Sequence, residues 1–363
     1  MPSTTPDALD DAALRIERFL LESGIQLADG PQRGAIAAWL NRERAPEFVY
    51  LEITGYYLTA MSWLAAGAAR SSEGGARALE RGAGALAWVA AATDDGAMPH
   101  TRLYLRDAPA DWRNAAVFSF DLAMAARGAS CFDWVGSAPV VETLSERLWE
   151  ICGGDAPLAS HLLRAGPTLP ERWSTQPGPH HVKAAAALLR LPDGALRPEF
   201  ERACADTVSH WAEAYRRSWP CAETHPLLYG LEGFVVLGDA DWIELAEEVL
   251  ERLFELQAAD GSLPAYVSGD GAPVRSDVLA QALRLAALLR RQDRLPGEAW
   301  SARLDALAAS LLGYVRSDGS VEFAAGQGIA NAWCAMFAHQ ALTLHSPSHD
   351  DPALTANAVR HLV

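Results

Sequence analysis

Leu256-Gln257-Ala258-Ala259-Asp260-Gly261-Ser262-Leu263-Pro264 closes one helix and leads to another of opposite character. Before it, Trp242 to Gln257 is acid-rich and amphipathic; after it, Asp277 to Leu289 is mostly apolar. The chemistry of the turn is local. Asp-Gly ends the helix, glycine supplies a left-handed residue, and a short extended piece follows. The same device recurs at Asp95-Gly96-Ala97-Met98-Pro99 and at Asp318-Gly319-Ser320-Val321-Glu322.

Working outward, the alternation runs along the whole chain. Apolar helices are expected at Glu52 through Ala69, Ala115 to Ala129, His180 to Arg190, His225 through Leu237, Asp277 to Leu289 and Gly328 to Leu344. Between them lie amphipathic ones at Ala76 to Ala92, Val140 to Cys152, Glu199 to Arg217, Trp242 to Gln257 and Glu298 to Val315. Ala8 to Glu22 opens the series, and Ala35 to Arg42 is expected as a short helical piece. A helix apolar all round must be buried all round, whereas an amphipathic one covers it. Repeated units that cannot bury their faces alone must stack on neighbours. Roughly twelve such helices predict an all-α (α/α)6 toroid of inner and outer helices, a single domain over 1–363 with residues 1–7 a flexible tail. No β-branched run has period two, so strands should be few and short.

Composition narrows the partners. Half of the 363 residues are hydrophobic and 21% are charged, which suits a large core. A formal charge of −16 argues against nucleic acid and anionic membranes. Five scattered cysteines without a Cys-x-x-Cys favour reduced thiols, and the N-terminus lacks a signal-peptide pattern, so a cytoplasmic protein is the expectation. No Cys/His cluster has structural-zinc spacing, and neither metal nor cofactor is expected. Gly326-Gln327-Gly328 is too short for a phosphate loop, and no Gly-x-Ser-x-Gly is present.

In a toroid, loops at one end of the inner helices surround a central pocket, so polar residues near helix starts are the site candidates. Those residues are Glu52, Tyr56, Tyr57, His100, Arg102, Asp121, His180, His181, Lys183, His225, Tyr229, Glu232, Arg275, Asp277, Gln281 and Asn331. Lys183 is the only lysine among 30 basic residues. An amine among small apolar neighbours is one whose pKa burial can lower; a snorkelling surface lysine is the other reading. Asp121, set in Phe118-Ser119-Phe120-Asp121-Leu122, would cost several kcal/mol if buried unpaired. Glu232 follows His225 by two helical turns and shares its face. His180 and His181 are adjacent, so at most one points into a pocket. Arg275 and Asp277 fit a capping role equally well.

The Gln257-to-Ser262 turn is similar to the helix-closing Gln-x-x-Asp-Gly-Ser of α/α-toroid enzymes, which include terpene cyclases and many glycosidases. Phe120-Asp121, Thr224-His225-Pro226, Asp277-Val278-Leu279-Ala280-Gln281 and Asn331-Ala332-Trp333 resemble toroid proteins of bacterial polysaccharide and natural-product gene clusters. The Asp121/Lys183 pair resembles the large subunit of the aziridine-forming enzymes of azinomycin-type biosynthesis. That resemblance implies a metal-independent ring closure with loss of an anion such as sulfate from a small amino-hydroxy acid. Asp121 would take the ammonium proton and Lys183 would neutralise the departing oxygen, with Tyr56, Arg102, His181, His225, Tyr229, Glu232, Arg275, Asp277 and Asn331 holding the substrate. A small polar substrate, free or on a carrier protein, and a small partner subunit go with it. The alternative is a carbohydrate-active toroid enzyme, a glycoside hydrolase, lyase or epimerase, pairing Asp121 with Glu232 or Asp277. A toroid that binds or scaffolds without catalysis is the third reading.

Overall fold

A computed structural model describes residues 4–67, 72–94, 98–106, 110–164, 168–268, 273–349 and 351–362. Six helices form an inner ring: α2 (Leu51–Ala66), α4 (Ser119–Phe132), α6 (His180–Leu189), α8 (Thr224–Leu237), α10 (Ser276–Arg291) and α12 (Ala332–His345). Each packs on the next, and α12 returns to α2, closing the circle. The apolar runs dictate this position. In α8 every residue from Thr224 to Val236 is buried. Outside the ring, α3 (Ser72–Thr93), α5 (Ser137–Cys152), α7 (Pro198–Arg217), α9 (Ala240–Phe254) and α11 (Glu298–Leu312) cover α2, α4, α6, α8 and α10 in turn. The sixth outer place is filled by α1 (Pro6–Glu22), which packs on α12. Outer helices bury one stripe only; α9 buries Ile243, Ala246, Val249, Leu250 and Leu253. The architecture is an (α/α)6 toroid.

Inner helices touch closely where glycine permits it. A Cβ on Gly128 of α4 would lie 2.2 Å from the Gly55 carbonyl oxygen of α2, so only hydrogen fits there. The repeated turn lies beyond the helix that it was expected to end, since α9 stops at Phe254 and α11 at Leu312, but its local chemistry is as expected. Gly261 and Gly319 have φ of +80° and +81°, and Asp260 and Asp318 each accept hydrogen bonds from the amide and hydroxyl of the serine two residues on. The third copy, Asp95-Gly96-Ala97, lies outside the described residues.

Six strands of two or three residues lace one rim of the ring. They are β1 (Trp39–Leu40), β2 (Phe48–Tyr50), β3 (Arg102–Tyr104), β4 (Ala116–Phe118), β5 (His161–Leu163) and β6 (Ala330–Asn331). They pair antiparallel as β1–β6, β2–β3 and β4–β5. The last residues of β2, β4 and β6 lead directly into α2, α4 and α12, and bridges at Glu223 and Arg275 precede α8 and α10. The starts of these inner helices are thereby pinned along one mouth.

Four local expectations are corrected. Ala35 to Arg42 is extended, with Ile36 and Ala37 bridged to Gln26 and Val49, because a short buried apolar run does not distinguish strand from helix. The helix expected from Ala115 starts at Ser119, after β4, and the one expected from Gly328 starts at Ala332, after β6. Pro6 and Asp7, expected in the tail, already belong to α1; residues 1–3 lie outside the described set. A further helix, α13 (Pro352–Arg360), was not anticipated and packs against the ring at α2, α8, α10 and α12.

Candidate active site

The first turns of α2 and α4 each carry a buried carboxylate, Glu52 and Asp121. The two helices are neighbours, so the side chains meet at the mouth. They share a small pit of about 40 Å³ with Tyr50, Arg113, Trp173 and His180. Tyr50 Oη donates to Asp121 Oδ1 at 3.4 Å, a long bond. Asp121 Oδ2 is buried and accepts nothing among the described residues.

Burial raises the pKa of both acids. Glu52 is pushed up to about 7, with Tyr50, Lys183 and Tyr56 pulling it back only in part. Asp121 is raised well above the carboxylate range by burial and then by the Glu52 charge; Tyr50, Arg102 and Arg113 oppose this. Two interacting acids in one dry site titrate as a pair, the charge on one raising the pKa of the other. One group can therefore donate while the other accepts.

An aromatic wall stands beside the pair. The His180 ring lies 5.5 Å from Phe120 and 5.1 Å from Trp173, and its buried Nδ1 has no partner among the described residues. Burial holds His180 well below the ordinary histidine pKa, with His181 and His225 adding to it. His181 is turned elsewhere: its Nδ1 lies 3.2 Å from both the amide and the carbonyl of Gly178, where the chain enters α6. His180, not His181, lines the pit.

Deeper in the ring, Lys183, Glu232 and Arg284 form a charge network. Lys183 Nζ donates to Glu232 Oε2 at 2.6 Å, and Gln281 and Arg284 donate to Oε1. Lys183 also sits 4.6 Å and 4.4 Å from the ring centres of Tyr56 and Tyr229. Burial lowers the lysine pKa, Glu232 opposes the shift and Arg284 adds to it. Glu232 is held below the carboxylate range by Arg284 and Lys183 against its own burial. Gln281 links this network to His225, whose Nδ1 is 2.6 Å from Gln281 Oε1 and 3.2 Å from Asp277 Oδ2. Asp277 is in turn bound by Arg275 at 2.5 Å.

The remaining candidates scatter. Arg102 stacks over Phe48 at 4.3 Å and pairs with Asp111 at 3.3 Å. Asn331 caps α12 by accepting from the Cys334 amide, leaving its buried Nδ2 without a partner among the described residues. Tyr57 donates to the Leu20 carbonyl and holds α1 in place. Sequence reasoning paired Asp121 with Glu232 or Asp277, both of which are already ion-paired, and passed over Glu52 as its neighbour. The common position of Glu52 and Asp121 in the first turn of successive inner helices was the available signal. Tyr50 ends a three-residue strand, Arg113 and Trp173 lie in single 3₁₀ turns, and such short elements carried none. Among the described residues, no group of three or more His, Cys, Asp or Glu side chains could hold a metal ion, and no described helix is long and apolar enough to cross a membrane.

No protein-family model matches the chain, and no curated protein does. Solved structures do. A D-mannose isomerase superposes with a TM-score of 0.70 at 10% identity, covering 96% of this chain and all of the other. The cellobiose 2-epimerase of Bacillus thermoamylovorans B4167 gives 0.64 at 11% identity, covering 92% and 98%. An unsaturated glucuronyl hydrolase specific for heparin gives 0.62 at 12%, covering 94% and 96%. These sugar-processing neighbours overturn the aziridine-forming reading. At such low identity the likeness shows the fold, and that fold is the α/α toroid.

Proposed function

We propose that the protein is a carbohydrate-active enzyme in which Glu52 and Asp121 act as an acid–base pair on a sugar at the mouth of the toroid. The observation that carries this is the unpartnered, buried Asp121 Oδ2 beside a second carboxyl whose pKa is pushed up to about 7. Enzymes place such perturbed acids where a proton must move. One carboxyl, protonated, would donate to a sugar oxygen; the other, ionised, would accept a proton from water or from a carbon next to a carbonyl. Trp173 and Tyr50 offer flat faces for a ring, and Arg113 offers a cation at the same pit.

A second reading moves the base to His180. Its neutral, unpartnered Nδ1 suits proton abstraction at a sugar carbon, with the Glu52–Asp121 pair supplying the acid. One experiment separates the two. The protein is incubated in D₂O with D-mannose, cellobiose or an unsaturated glucuronyl disaccharide, and products are followed by NMR. New reducing ends without C–H exchange indicate hydrolysis; deuterium at the carbon beside the carbonyl indicates isomerisation or epimerisation. His180→Gln abolishing that exchange favours the second reading. No turnover of any of the three, or Asp121→Asn matching wild type, overturns the proposal.

A further inference from the structure

The opposite end of the ring carries a cationic pocket unconnected with the carboxylates. Arg127 of α4, Arg190 at the end of α6 and Arg360 at the end of α13 line it together with Ser130, Cys131 and Val236. Its volume is about 370 Å³, and no carboxylate lines it among the described residues. That is notable in a chain of net charge −16. Arg127 is buried at its floor while Arg190 and Arg360 are exposed, so the pocket presents three like charges to an anion arriving from solvent.

Part of that charge is met by helix ends. Arg190 donates to the carbonyls of Val236 (3.2 Å) and Leu237 at the end of α8, and Arg127 Nη2 donates to the Arg360 carbonyl at 2.9 Å. The rest is left over. Arg127 is only 6% exposed, and among the described residues no carboxylate pairs with it or with the exposed Arg190 and Arg360. The local field is felt by a neighbour. Buried His361 is pushed down to about 4, by desolvation first and then by the charges of Arg360 and Arg127, against the bond to the Asn357 carbonyl.

We infer that this pocket binds a phosphate group, from inorganic phosphate or a small phosphate monoester. Guanidinium forks match phosphate oxygens two at a time, and arginine keeps its charge when buried. Arg127 would contact the phosphate from the ring, Arg190 from the α6 end and Arg360 from α13. The bound anion would thereby tie α13 to the base of the toroid and stabilise the folded chain by mass action.

The test is calorimetric titration of the full chain at constant ionic strength with inorganic phosphate and, separately, with glycerol phosphate. Melting temperature is read in parallel. Wild type is expected to show one saturable site and a rise in melting temperature. Tighter binding of glycerol phosphate would identify an organic monoester as the source, and tighter binding of inorganic phosphate the free ion. Arg360 is exposed, so Arg360→Gln should fold normally and weaken binding at least fivefold. Arg190→Gln should weaken it similarly, whereas Arg77→Gln on the outer surface should not. Absence of saturable binding in wild type, or unchanged affinity in the Arg190→Gln/Arg360→Gln double variant, would overturn the inference.

Discussion

Two buried acidic centres in this ring are treated in opposite ways. Glu232 is fully enclosed, and both of its oxygens are taken by Lys183, Arg284 and Gln281. Asp121 is nearly as enclosed, yet has one long bond from Tyr50 and one bare oxygen, with another carboxyl for a neighbour. The first arrangement answers the cost of burying charge with partners; the second leaves that cost standing. A carboxylate left short of partners inside a protein retains its capacity to take a proton, whereas a saturated one does not. Centrality in the toroid is therefore a poor guide to function, and partner count is a better one.

The largest effect expected from this contrast is on rate. Asp121→Asn should slow turnover of the sugar substrate by roughly 10²–10⁴-fold, the usual range for a lost positioned base, while the denaturation midpoint stays the same or rises. A large loss of stability instead would place Asp121 with Glu232 as a structural group. The converse holds for Glu232→Ala. It strands Lys183 and Arg284 beside each other in the core and should destabilise by about 3–5 kcal/mol in chemical denaturation. A change below 1 kcal/mol would erase the distinction between the two centres.

The pH dependence sharpens the same point. Glu52 has a folded pKa of about 7 against an ordinary 4.5, so the folded state holds its proton longer. Its contribution is fully present below pH 4.5 and is lost as pH rises through 7, by about 3 kcal/mol. Glu52→Gln should flatten that slope between pH 4.5 and 7 when unfolding is followed by denaturant titration at several pH values. An equal slope in the variant would assign it to other groups. The smallest effect is at Asn331, which combines both behaviours, one atom capping α12 and one left over. Asn331→Ala should cost about 1 kcal/mol, the usual worth of a helix cap, with the melting temperature as the readout.

The ring was legible because burial period is a local property. The all-apolar stretch His225 to Leu237 and the striped stretch Trp242 to Gln257 announce inside and outside without any tertiary information. The strands were not legible, because pairs such as Trp39 with Asn331 join residues far apart in the chain, and two residues carry no period. The site was half legible. Asp121 stood out as a charge in an apolar run, but the identity of its neighbour depended on α2 and α4 being adjacent in the ring.

The lone Lys183 shows where the boundary falls. Its rarity is a fact of composition, which left a buried amine and a snorkelling surface lysine both open; burial in the ring decided for the first. That a carboxylate stands against this amine was decided by the packing of α6 on α8, which sets Glu232 2.6 Å from its nitrogen. Sequence by itself determined which helices are buried and where the Asp-Gly turns fall, since hydrophobic period and turn chemistry act within a few residues. Only the tertiary structure decided which buried charges find partners. Pairing depends on distances between helices, and those are fixed by close contacts such as Gly128 against Gly55 that no single stretch encodes.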